Sequence, residues 1–193
     1  MRLPLPRGES LLKASEVSVQ LDYAEFVRSR VRCADIFLRR GEITLWFNGH
    51  KKNWDFPHPK DLDYRTLEVN RPRCQPQEIR LEEGRLLLRE GRQSPVVVLE
   101  GLQITAGQPT FSIAAANPIK ALMLPGRFES RGMRYGARNY TDVSGGFEFT
   151  DGDLVIKRMG FKSSDGRHEI TSGRLSLTST QPSFKGNFYA DLD

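Results

Sequence analysis

The chain has 193 residues, a length that suits one domain with a sizeable core or one large sheet. Its hydrophobic share of 38% and charged share of 27% are ordinary for a soluble globular chain and exclude intrinsic disorder. The net charge of +5 arises from basic residues that are interleaved with acidic ones and form no long basic run. This pattern argues against a nucleic-acid partner and suits an anionic membrane surface at least as well.

Targeting signals and cysteines place further limits on the class of protein. The opening "MRLPLPRGES" lacks the apolar core of a signal peptide, and no stretch has the roughly 18 apolar residues of a membrane span. We therefore expect the chain as given to be soluble, with any export signal or anchor lying outside it. Cys33 and Cys74 have no metal-ligand spacing, and both two free thiols and one disulfide are open.

Residues 1–49 are predicted to form an N-terminal β module with one short helix. The first strand, "EVSVQL", alternates polar with apolar residues, so that one of its faces is apolar. Asp22 is a possible N-cap for a helix over 22–30. The strands "VRCADIFLRR" and "EITLWFN" follow, with a turn predicted at Arg40 and Gly41.

Residues 50–77 are Pro-rich and show no sustained period of 2 or 3.6, which predicts a long loop or linker. Within it, "KKNWDF" mixes two lysines with Trp54 and Phe56. Such a mixture suits a base, a sugar or a membrane interface, but the favoured interpretation is a loop whose aromatic side chains pack back onto the sheet.

Residues 78–193 are predicted to form an antiparallel β-meander, packed with residues 1–49 as one domain. Runs such as "EIRLEEG", "GRLLLREG" and "VVVLEGLQITAG" are bounded by Gly or Pro and rich in aliphatic residues. One further short helix is predicted over 117–124, where Pro118 suits a first helical turn. The phrase strand, glycine, strand recurs at four positions, which are Gly84, Gly101, Gly152 and Gly173.

The residues that could carry chemistry form no catalytic or metal-binding constellation. His50, His58 and His168 are scattered and are interpreted as solvated side chains, and the run "HPKDLD" supplies too few ligands for a metal. The acidic "TDGD" and "SSDG" are predicted to be hairpin turns, because Asp-Gly between alternating runs is a strong hairpin signal. No nucleophile motif is present, so the sequence predicts no catalytic, cofactor or metal site.

The C-terminal half of the chain resembles the repeating unit of AsmA-like proteins, the bacterial envelope family that includes the TamB-type assembly proteins. The N-terminal strand, helix and strand pattern resembles the opening module of the same family, and the run from "EIRLEEG" to "QITAG" resembles its middle portion. The matching features are Ser144-Gly145, then Asp151-Gly152 before the strand Leu154-Val155-Ile156, and Ser172-Gly173 before Leu175 and Leu177.

This resemblance implies an all-β fold and a non-catalytic role. The expected architecture is a curled antiparallel meander, either a β-groove folded like a taco or a sandwich. The implied function is to shield the acyl chains of phospholipid or another acyl lipid, in transport between membranes or in outer-membrane assembly. The implied location is the periplasmic side of the inner membrane, through an anchor that this chain lacks. Family members usually run much longer, which leaves open whether the chain is a fragment.

Alternation along the strands selects residues for the lipid-facing interior. Apolar faces of many short strands require a cover, since apolar area costs roughly 25 cal/mol per Å² to leave in water. That cover is either a second sheet or lipid. A non-catalytic β-sandwich binding or scaffold module for a protein or glycan is the alternative, and an enzyme is disfavoured. The candidate lipid-facing residues are Phe147, Phe149, Leu154, Ile156, Leu175 and Leu177. Glu148 and Ser176 are predicted to lie on the outer side, so Ser176→Asp is expected to be nearly silent.

Overall fold

The structure, a computed structural model, describes residues 11–21, 33–48, 51–53, 76–91, 94–111, 122–177 and 183–192. This part of the chain is all-β and mostly antiparallel, contains no helix, and forms a sheet that is not closed. The predicted fold class is therefore confirmed. The helix predicted over 22–30 lies outside the described residues. The helix predicted over 117–124 is wrong at its C-terminal end, where Leu122–Tyr135 is a strand.

Within the described ranges, thirteen strands make up the sheet. They are β1 Leu12–Lys13, β2 Glu16–Leu21, β3 Cys33–Arg39, β4 Glu42–Asn48, β5 Lys51–Lys52, β6 Glu78–Glu90, β7 Val97–Ala106, β8 Thr110–Phe111, β9 Leu122–Tyr135, β10 Arg138–Thr150, β11 Asp153–Ser163, β12 Gly166–Ser176 and β13 Ser183–Leu192. The main path through the sheet runs β1-β4-β6-β7-β9-β10-β11-β12-β13. From β6 onward, apart from the short β8, the chain is a meander in which each strand pairs with the next one.

Strands β3 and β4 run parallel to β6, which the sequence did not predict. Residue 35 pairs with 78 and residue 42 pairs with 85, so a single offset of 43 residues covers both strands. The ladder continues through Arg40 and Gly41, because Arg40 N–H donates to the Glu82 carbonyl and Arg85 N–H donates to the Gly41 carbonyl. The turn predicted at Arg40 and Gly41 is therefore wrong. Parallel strands cannot be joined by a tight hairpin, and residues 49–77 separate β4 from β6 in the sequence.

The long strands bend along one line, which we call the corner. Most strands on this line have a residue in the left-handed region or an irregular register: Arg40 (φ 50°) at the β3–β4 junction, Glu83 (φ 52°) on β6, Gly101 (φ 62°) on β7, Asp142 (φ 51°) on β10, and register shifts within β11 and β12. A bulge of this kind inserts one residue into a strand, which bends the strand and turns the side chains that follow toward the other face. Gly84, Gly101 and Gly173 lie at this corner inside continuous strands, so only Gly152 of the four repeated glycines occupies a turn.

The hairpin turns predicted at the Asp-Gly dipeptides are confirmed. Asp151 (φ 53°) and Gly152 (φ 78°) connect β10 to β11, and both adopt the left-handed conformation of a two-residue hairpin loop. Ser164 and Asp165 connect β11 to β12, closing on the Ser163–Gly166 pair. These tight turns set the register of the three strands that carry the candidate residues.

The best-buried part of the described structure lies where the strands cross the corner. Val143 is 1% exposed and packs with Met159 and Phe161. Around this trio lie partly buried apolar residues from both sides of the corner, which are Leu99, Phe128, Met133, Tyr140, Ile156 and Ile170. The bend therefore brings two stretches of the same sheet face together.

Candidate functional site

The register of β10, β11 and β12 brings the candidate lipid-facing residues onto one face. Phe147 is paired with Ile156, Phe149 with Leu154, and Leu154 with Leu175. Directly paired antiparallel residues point to the same side of a sheet. Leu177 follows β12 immediately, in phase with Leu175. We call this side of the sheet the inner face.

The inner face continues beyond these three strands. Phe147 is opposite Gly126 of β9, and its ring lies so close to this glycine that a Cβ there would be only 2.4 Å from the ring. Phe128, two residues further along β9, has its ring centroid 6.4 Å from that of Phe147 and is paired with Ile104 of β7. Ile104 is in turn paired with Leu81 of β6, so apolar side chains follow one another across five strands.

The opposite face is polar, as the alternation predicts. Glu148 is paired with Val155 and forms an ion pair with Lys157 at 2.8 Å, while Ser176 Oγ donates to the Asp153 carboxylate at 2.9 Å. Further ion pairs on the same strands join Arg174 to Asp153, Arg158 to Glu169 and Lys162 to Asp142. On β10 to β12 the sheet thus separates an apolar inner face from a charged outer one.

One of these outer ion pairs shifts the titration of an exposed carboxylate. The Lys162 ammonium lies 2.7 Å from the Asp142 carboxylate, and its hydrogen bond and charge lower the pKa of Asp142. Likewise, the hydrogen bond and charge of Glu169 raise the pKa of Arg158. Both pairs flank the corner, where they connect β10 to β11 and β11 to β12.

The inner face is only partly covered. All six candidate residues are of intermediate exposure, between buried and exposed. At the edge of the sheet, β13 places Phe188 opposite Ile170 on the same face, and the Phe188 side chain is 61% exposed. Aromatic and aliphatic side chains therefore line a concave surface that remains partly open.

Lys52 marks the place where distant parts of the fold meet. This residue of β5 is only 9% exposed, and its Nζ donates to the backbone carbonyl of Leu177 at 2.8 Å. Lys52 is paired with Phe47 of β4, so the contact joins the N-terminal strands to the end of β12. Of the "KKNWDF" segment, Lys52 and Asn53 are thus buried parts of the structure, whereas Trp54 and Phe56 lie outside the described residues.

His168 departs from the prediction that the histidines are solvated. The residue is 8% exposed, and its ring packs nearly parallel to those of Phe161 (5.3 Å, 28°) and Phe188 (5.6 Å, 22°), which also contact each other at 6.2 Å. Its Nε2 lies 2.6 Å from the Ser163 hydroxyl, while its Nδ1 is buried without a hydrogen-bond partner among the described residues. The sequence offered one indication that His168 is buried, because it is two residues from Ile170 and so lies on the same face of the strand.

The remaining sequence predictions for chemistry fall mostly outside the described residues. His50, His58, Asp61, Asp63 and Cys74 belong to segments that the structure does not describe. Within the described ranges, no three His, Cys, Asp or Glu side chains gather as metal ligands would. In that same part of the chain, no helix is long and apolar enough to cross a bilayer.

Comparison with known proteins adds no family assignment. No protein-family model matches the chain, and no curated protein matches it. Support for a function therefore comes from the two faces of the sheet and from the resemblance described above.

Proposed function

We propose that this chain is a non-catalytic protein of the bacterial envelope whose inner face shields the acyl chains of lipids. The observation that carries the proposal is the contrast between the faces of one bent sheet. Apolar side chains from β6 to β12 face a partly open interior, while ion pairs occupy the outer face. Phospholipid, or another acyl lipid, is the proposed occupant.

Burial energetics support a lipid occupant. Leaving apolar surface in water costs roughly 25 cal/mol per Å², and a concave apolar surface recovers that free energy when a ligand covers it. An acyl chain is flexible and purely apolar, so it makes no demand for hydrogen-bond donors along its length. The lining around Phe147, Leu154 and Ile156 is matched to such a ligand, because apolar side chains follow one another there without an intervening charge.

The cellular role follows the resemblance to AsmA-like proteins. In that setting the protein would act on the periplasmic side of the inner membrane, in lipid transport between membranes or in outer-membrane assembly. The alternative is a non-catalytic binding or scaffold module for a protein or glycan, in which a closed apolar core would hold no ligand.

Two adjacent residues of β11 provide a matched test. Ile156 lies on the inner face opposite Phe147, whereas Val155 lies on the outer face opposite Glu148, and both are partly buried. A photo-crosslinking amino acid is placed at each position, and the protein is expressed in a bacterial envelope. We expect a phospholipid adduct by mass spectrometry from position 156, and none from positions 155 or 148.

Absence of an adduct at position 156, together with no co-purified lipid, would contradict the proposal and favour the binding module. Equal labelling at positions 155 and 156 would also contradict it, because a ligand held in the interior contacts only one of the two faces. Circular dichroism of each labelled variant checks that the strands are retained.

A further inference from the structure

A second feature lies on the inner face on the other side of the corner, at the ends of the β9–β10 and β11–β12 hairpins. A cavity of about 500 Å³ opens there, lined by Arg138, Tyr140, Phe161, Ser163, His168 and Phe188 among others. Phe161 is paired with His168, and both lie on the face that carries Met159 and the buried core. The cavity therefore continues the apolar surface and adds polar groups to it.

The hydrogen bonds of Ser163 favour one of the two tautomers of His168. The Ser163 hydroxyl oxygen accepts from the Asp165 backbone N–H at 3.1 Å, and the same oxygen lies 2.6 Å from His168 Nε2. Among the described residues, Ser163 Oγ forms hydrogen bonds only with Asp165 and His168, and donation to Nε2 is the arrangement that gives the Ser163 proton an acceptor there. Neutral His168 then carries its hydrogen on Nδ1.

Nδ1–H of His168 is consequently a buried donor without an acceptor in the part of the chain that the structure describes. Buried polar groups nearly always have a partner, because leaving one unpaired costs free energy. Apart from Ser163 at Nε2, the ring packs against the aromatic rings of Phe161 and Phe188, and the Tyr140 ring lies edge-on at 6.4 Å. An acceptor oxygen supplied by a ligand would complete this site.

We propose that the cavity binds the carbonyl end of an acyl lipid, with His168 Nδ1–H donating to an acyl carbonyl or carboxylate oxygen. The inference rests on the proposed function, since the acyl chain would extend from the cavity along the inner face. Phe188 forms one wall of the cavity and is 61% exposed; its strand, β13, pairs within the described chain with β12 alone. Arg138, an exposed cation at the cavity, would favour a free carboxylate over an ester.

Ligand binding to the purified chain tests the site. The probes are palmitate, its methyl ester and a saturated hydrocarbon of similar length, and the variants are His168→Phe and Arg138→Gln. Loss of one hydrogen bond to a ligand predicts that His168→Phe weakens binding of palmitate and of the ester by about 3- to 10-fold and leaves hydrocarbon binding unchanged. If a free acid is the natural ligand, Arg138→Gln weakens palmitate alone, whereas unchanged palmitate binding in Arg138→Gln assigns the site to an ester.

Nuclear magnetic resonance of the His168 ring in the wild-type protein tests the site without relying on a variant that could fold poorly. In ¹⁵N-histidine-labelled wild-type protein, we expect the His168 resonances to show the Nδ1–H tautomer and to shift on adding palmitate or the ester, but not the hydrocarbon. If all three ligands bind, His168→Phe weakens none of them and the His168 resonances respond to all three alike, the carbonyl site is wrong. The proposal that the inner face binds acyl chains would be unaffected by that result. If no probe binds and position 156 captures no lipid, both proposals fail.

Discussion

The corner of the sheet depends on a close approach that only glycine permits, and Gly145 is the place to test it. A Cβ at Gly145 would lie 2.6 Å from the Arg158 backbone carbonyl oxygen and 2.9 Å and 3.0 Å from two ring atoms of Phe128. The Phe128 ring has some freedom to move, but the carbonyl belongs to the neighbouring strand and moves only with the ladder. We expect Gly145→Ala to destabilise the fold by about 1–3 kcal/mol through overpacking.

Gly160 on the adjacent strand is the matched control. Ser144 is its partner in the ladder, and its φ is not in the left-handed region. Apart from its chain neighbours, no atom of the described residues lies within 4 Å of the position that a Cβ would take at Gly160. Gly160→Ala should be neutral or stabilise the protein by about 0.4–1 kcal/mol, because alanine has less freedom in the unfolded chain. The two variants should therefore differ by roughly 2 kcal/mol, or about 4–8 °C in Tm for a chain of this size.

Urea unfolding followed by circular dichroism measures both free energies of unfolding. Equal stabilities for Gly145→Ala and Gly160→Ala would refute the close approach of β10 and β11 at the corner, and with it the bend that brings the inner-face residues together.

Two further predictions address the two faces of the sheet. Leu124 is partly buried on the inner face opposite Phe149, whereas its neighbour Met123 points the other way and is 43% exposed. Leu124→Asp should therefore lower the urea midpoint substantially, and Met123→Asp should lower it little. Similar midpoints for the two variants would show that the face assignment is wrong. The lowered pKa of Asp142 means that its ion pair with Lys162 stabilises the fold above the ordinary aspartate pKa and that this contribution disappears as the pH falls through the lowered value. Lys162→Gln should therefore be slightly less stable than wild type at neutral pH, and the difference is small because the pair is exposed. In acid, the urea midpoints of variant and wild type should converge. A difference in urea midpoint that stays constant down to about pH 2 would contradict this linkage.

The expectation that Ser176→Asp is nearly silent needs revision in view of the structure. Ser176 does lie on the outer face, but its hydroxyl donates to Asp153, which also pairs with Arg174. A carboxylate at position 176 would therefore face another carboxylate. Met123 is the better outer-face control, because its thioether side chain forms no ion pair that the substitution would disturb.

Local sequence determined the class of fold, the hairpin turns and the two faces of the sheet. Alternation next to the hairpin turns indicates that Phe147, Phe149, Leu154 and Ile156 share a face, because successive side chains of a strand point to opposite sides. The Asp151-Gly152 dipeptide fixes a turn because both residues tolerate positive φ. Such features depend on residues near one another in the chain, so they could be predicted from the sequence.

Only the tertiary structure decided how the strands join and where the sheet bends. Gly84 and Gly173 resemble turn residues in the sequence, yet they lie inside continuous strands whose neighbours supply the ladder across the corner. The parallel pairing of β3 and β4 with β6 likewise joins residues that are distant in sequence, and the packing of His168 against Phe161 and Phe188 joins three strands. The physical reason is that a glycine permits both a turn and a bulge, and only the hydrogen bonds of the adjacent strands select between them.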